Sequence, residues 1–179
     1  THGSAKQFDD WGQLIREATP LLYAKILAIK NNPKLTPTEI ATQVANVWSD
    51  QSLRHFYDNT TGLLILNIDI VPDSGDILNP AKTFYYYNLD RRPVLTVGPK
   101  GQATQTTSDP IFDKPTSQTR YETGINVAGL TGGFITPAVT ALITPNAMLD
   151  QTDQYEYDRA GNEEKHTDAE GYVTKNHTD

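Results

Sequence analysis

Cysteine is absent from the 179 residues, so disulfides, thiolate metal sites and thiol nucleophiles are all excluded. Oxidising and reducing compartments both remain open. Positive charge is scarce too: 15 Lys and Arg face 22 Asp and Glu, a net charge of −7. Affinity for a phosphate backbone rests on clustered cations, and only Arg91-Arg92 stand together, so nucleic acid is not an expected partner. No apolar run approaches the roughly 20 residues of a spanning helix. Hydrophobic residues make up 37%, little for a globular chain, yet enough for a core because the polar residues gather in loops and toward the end. Abundant Thr, Asn, Gln and Tyr, with a single Met, give the composition of an extracellular, virion or cell-surface protein. The first residue is not Met, and Thr1-His2-Gly3-Ser4 reads as a tag scar or a cut site.

The clearest pattern that is present lies in residues 61–71. Leu64, Leu66, Ile68 and Ile70 alternate with Asn67 and Asp69, which predicts a central strand closed by Pro72-Asp73-Ser74-Gly75. Before it, Phe8, Trp11, Ile15, Ala18, Leu22, Ile26 and Ile29 recur every three or four residues and predict a helical stripe. Thr19-Pro20 either kinks that helix or caps a fresh one. Thr36 and Glu39, with Pro37 at the first turn, spell a capping box and a second helix. Leu53, Phe56 and Tyr57 extend its apolar face. Residues 82–89 and 93–97 read as strands, 98–115 as a long loop with at most a short strand, 118–127 as an edge strand and 134–143 as a last apolar segment. The expected fold is α+β: N-terminal helices packed on one face of an antiparallel sheet over residues 5–149. A polar, mobile tail follows from 150 to 179.

Candidate chemistry is sparse. Asp69, Asp73 and Asp76 could offer oxygen ligands to a hard cation, but their spacing matches no calcium loop and reads as an exposed acidic turn. His55 is the one histidine inside the expected fold, and no Gly-x-Ser-x-Gly or His-Glu-x-x-His accompanies it. An enzyme reading, a small hydrolase-type toxin or effector, would use Asp69, Asp73 or His55. Neither a metal nor a cofactor pattern is present. Tyr86, within Tyr85-Tyr86-Tyr87, could stack on a partner, and Tyr121 and Ile125 could anchor a strand added beside residues 118–127. Residues 125–143 also carry the Thr and Gly of a membrane-inserting hairpin, although Pro137 argues for a core hairpin.

Near the end, Tyr157-Asp158-Arg159-Ala160-Gly161 is followed by Asp168-Ala169-Glu170-Gly171 and Tyr172-Val173-Thr174. This resembles a YD repeat of Rhs-type bacterial toxins and cell-surface proteins, whose repeat runs Tyr-Asp-x-x-Gly and then Asp-x-x-Gly. The resemblance spans about 20 residues. It implies β-hairpins that coil side by side into a shell around a toxic cargo. As read, the motif has no second copy in the chain, and no catalytic residue carries over. The functional expectation is a non-catalytic assembly or partner-binding module of a bacterial or phage extracellular structure. A protein partner or self-assembly is expected, and a membrane-interacting toxin is the third reading.

Overall fold

The computed structural model describes residues 5–69 and 80–176. The chain divides into two compact units, residues 1–82 and 83–179. Among the described residues are twelve strands and three helices.

The first unit is two β-hairpins with a helical pair inserted between them. β1 (Lys6–Phe8) and β2 (Leu14–Glu17) form one hairpin, and β3 (Leu53–Tyr57) and β4 (Leu64–Asp69) the other. β2 lies antiparallel to β3, with Arg16 opposite Arg54 and Glu17 opposite Leu53. Between them run α1 (Pro20–Lys30) and α2 (Pro37–Gln51). Thr19 caps α1, its hydroxyl accepting from the Leu22 N–H at 3.3 Å, with Pro20 at the first position. Thr36 and Glu39 close the capping box on α2; Glu39 accepts from the Thr36 N–H at 2.8 Å. The core of this unit is helical. Leu22 and Ile26 of α1 bury against Trp48 of α2 and Ala18. Each such aliphatic side chain contributes about 1.5–3 kcal/mol by leaving water.

The second unit is a meander. β5 (Ala81–Tyr87), β6 (Pro93–Val97), β7 (Ala103–Ser108), β8 (Pro115–Arg120), β10 (Gln151–Tyr157), β11 (Glu163–Thr167) and β12 (Val173–Lys175) neighbour one another in that order, each antiparallel to the next. Opposed residues share a face, so Phe84, Val97 and Ala103 form one row and Tyr86 and Leu95 the next; all five are buried. Residues 121–150 leave the sheet between β8 and β10. They hold a short strand β9 (Gly133–Phe134), parallel to β5, and one turn of helix α3 (Pro137–Thr140). The segment is tied back where the Ile125 N–H donates to Gly101 O at 2.9 Å and the Ile135 N–H to Tyr87 O at 2.8 Å.

The α+β expectation is therefore overturned: the protein is all-β in character, a mostly antiparallel strand assembly that is 17% helical. Phe8, Trp11 and Ile15 belong to a hairpin and not to a helix, because Gly12 at φ 79° turns the chain between them. Leu53, Phe56 and Tyr57 form β3. The expected long loop contains β7, paired on both sides, and residues 125–143 form no hairpin. The polar tail is three strands, with β10 seated against β8. The cause is common to β7, β8, β10 and β11. β7, β8 and β10 are rich in Thr and Gln and β11 in charged residues, and all pair by backbone on both sides, so no apolar alternation marks them.

Candidate functional site

Of the residues singled out for chemistry, His55 and Asp69 are described. His55 stands in β3, where its Nδ1 lies 2.7 Å from Asn67 Oδ1 across the hairpin; its Nε2 is buried without a hydrogen-bond partner. Asp69 ends β4, exposed, on the same face as Asn67. Asp73 and Asp76 lie outside the described residues. Among the described residues no three His, Asp or Glu groups come together as metal ligands. No described helix is long and apolar enough to cross a membrane, a statement about helices alone.

The expected partner-binding residues are placed inward or engaged. Tyr86 is 1% exposed and Ile125 6%, so both belong to the core. The Tyr121 hydroxyl donates to Gln105 Oε1. β8, expected at an edge, pairs with β7 on one side and β10 on the other, which makes it interior.

What recurs is a turn. Asp9, Asp58, Asn88, Asp109, Asp158 and Asp168 each open a tight connection between strands. In each, a side-chain oxygen accepts backbone N–H groups two to four residues on. Each turn closes on a residue in the left-handed region: Gly12, Gly62, Arg91, Asp113, Gly161 and Gly171, with φ between 56° and 87°. A seventh turn, Gly98 to Gln102, has the same backbone, with φ 83° at Gly101. A register shift falls at the strand end before five of them. An aromatic residue precedes four: Phe8, Tyr57, Tyr87 and Tyr157. The Tyr57 hydroxyl donates to Leu14 O at 3.1 Å and the Tyr157 hydroxyl to Pro115 O at 2.7 Å, each reaching the first residue of the neighbouring strand. Burial holds both phenols above their ordinary pKa, helped by Asp9 near Tyr57 and by Glu163 near Tyr157.

The residue after the left-handed position then reaches the next turn at the same end. In the first unit the Gln13 amide donates to Gly62 O at 3.1 Å. In the second, Arg92 donates to Pro110 O at 2.8 Å and pairs with Asp113 at 2.7 Å. Lys114 donates to Gly161 O at 2.5 Å. The Phe112 ring sits where a Cβ on Gly161 would come within 2.9 Å. Adjacent hairpins are thus stitched tip to tip.

One ionic cluster crosses β8, β10 and β11. Asp153, 8% exposed, accepts from Arg120 at 2.7 Å and lies 3.8 Å from His166 Nε2. His166 stacks flat on Tyr155, centroids 4.7 Å apart. Burial raises the Tyr155 pKa, with the charges of Asp153 and Glu163 adding and Arg120 opposing. The cluster ties three neighbouring strands together.

No protein-family model matches the sequence, and no curated protein matches it. Solved structures do. The chain is similar to one in the crystal structure of TcdB2-TccC3-Cdc42, with 12% identity and a TM-score of 0.36, over 96% of this chain and 10% of that one. The crystal structure of TcdB2-TccC3 gives the same figures. A Photorhabdus luminescens Tc holotoxin pore matches with 13% identity and a TM-score of 0.36, over 96% of this chain and 9% of that one. The chain spans about a tenth of the length of the chains it matches.

Proposed function

We propose that this chain is a non-catalytic assembly module, a run of YD-type hairpins from the shell of a secreted, toxin-type protein. Repeated hairpins that bond tip to tip are the observation that carries this reading. A single hairpin is marginal in water, whereas stacked ones gain stability from each neighbour. The reading also accounts for the ionic cluster at Asp153, which ties three strands.

The partner in this reading is another protein strand, and β12 is its docking edge. Among the described residues no strand pairs with the outer side of β12, and all three of its residues are exposed. The Asn176 N–H donates to Glu164 O at 3.0 Å, and Thr174 stands opposite His166 in the equivalent bonded position. Bonded and free positions alternate along an antiparallel strand, so the Lys175 N–H points outward. Sedimentation of the purified chain at rising concentration should give a mass above the monomer, and Lys175→Pro should lower it without disturbing the fold. A strict monomer at every concentration, unchanged by Lys175→Pro, would count against the assembly role.

A further inference from the structure

In the first unit, Arg16 of β2 stands directly opposite Arg54 of β3. Opposed residues in an antiparallel pair carry their Cβ atoms about 4.5–5.5 Å apart on one face, where like charges destabilise the pairing. Both side chains are half-buried. Among the described residues, neither guanidinium has an ion pair or a side-chain hydrogen bond. The Arg54 Nε is buried outright with no partner. The carboxylate that shares β2, Glu17, is held by Lys6 at 3.4 Å. Flanking residues offer no compensation: Gln7 opposes Arg16 on its other side, and Ile68 opposes Arg54. Two cations drawn from water and facing each other are a cost that folded proteins meet by supplying an anion.

The space for one exists. Arg16 and Arg54 line a cavity of about 310 Å³ with Ile15, His55 and Phe56. Ile15 and Phe56 are apolar and strengthen charge pairing by excluding water. Planar guanidinium forks match the paired oxygens of a carboxylate or phosphate in two parallel hydrogen bonds.

We infer that Arg16 and Arg54 form a binding site for an oxyanion, a phosphate or carboxylate group. The site lies wholly within the first unit and does not depend on the shell reading. The two sources of this chemistry, a phosphate group or a carboxylate, are separable with inorganic phosphate and acetate as probes.

Thermal unfolding of the full chain is the test, at constant ionic strength with chloride as the reference anion. Inorganic phosphate should raise the melting temperature by several degrees, with saturation. Acetate matching it supports a site that a carboxylate also fills; phosphate alone supports a phosphate site. Arg54→Met keeps the aliphatic stem and removes one charge. It should melt higher than the parent in chloride, because the repulsion is gone, and should lose the phosphate response. Arg16→Met should do the same. In the parent chain, the Arg54 Nε–H resonance should move saturably on phosphate addition. If neither anion shifts the melting temperature, or if Arg54→Met melts lower in chloride and still responds to phosphate, the inference fails.

Discussion

Residues 57–63 and residues 157–162 sit in different units and are built alike. Each begins with a tyrosine whose hydroxyl bonds a backbone carbonyl at the start of the neighbouring strand, Leu14 in one case and Pro115 in the other. In each, an aspartate then gathers the turn's N–H groups, and a glycine closes it at φ 71° or 82°. They differ in length and support. The first turn is one residue longer and adds the Thr61 hydroxyl as a donor to Asp58 at 2.8 Å; the second uses the Asn162 amide, 3.0 Å from Asp158. Away from these turns the units diverge. The β2-to-β3 connection holds two helices, and the β8-to-β10 connection holds the 121–150 segment. The hairpin tips are therefore the constrained part. The opposite ends hold both these insertions and the tight turns at Gly98 and Asp168.

The largest effect should come from breaking the join between a turn and an insertion. Gly101 has φ 83°, and a Cβ there would lie 2.1 Å from the Ile125 carbonyl oxygen. Gly101→Ala should cost about 3 kcal/mol or more in denaturant unfolding, left-handed strain plus a backbone clash. Gly171 has φ 87° with nothing within 4 Å of a new Cβ, so Gly171→Ala should cost only the strain, about 1–2 kcal/mol. Equal costs would mean that residues 121–150 do not rest on Gly101. Next in size, Tyr57→Phe and Tyr157→Phe each remove one hydroxyl-to-carbonyl bond, and each should lose about 0.5–1.5 kcal/mol. A loss at one site alone would break the equivalence of the two turns.

The smallest effect is a pH dependence. Hydrogen bonds from Thr61 hold the Asp58 carboxyl below its ordinary pKa, and those from Asn162 do the same for Asp158. A lowered folded pKa means that the unfolded chain takes up the proton first. The stabilisation is then complete above the ordinary carboxylate pKa, about 3.9, and fades as pH falls through the lower folded values. Acid melts of Asp158→Asn should show a shallower decline below that point. A slope identical to the parent would remove Asp158 from the account.

Legibility in the sequence followed signal type. The capping box of Thr36 and Glu39 is a local code with one meaning, and it stands as read. The alternation of residues 64–69 likewise gave a strand. The repeat was visible at Tyr157-Asp158 but not elsewhere. The Asn88 and Asp109 turns place Arg91 and Asp113 where a glycine is expected, and helices separate the Phe8-Asp9 turn from the Tyr57-Asp58 turn. Polar strands such as Gln151–Tyr157 look disordered by hydropathy, because backbone pairing leaves no mark in composition. The facing of His55 and Asn67, and the opposition of Arg16 and Arg54, are properties of register. Register cannot be read until the hairpins are recognised.

Amide hydrogen exchange across residues 151–167 tests the hairpin-module account most directly. β10 pairs on both sides, and the Asp158 N–H is bonded to Asn162 O at 2.9 Å within its turn. The account predicts that strand amides of β10 exchange as slowly as those of β6, which is also paired on both sides. Exchange of residues 151–157 at the rate of an unfolded chain, while β6 stays protected, would contradict it.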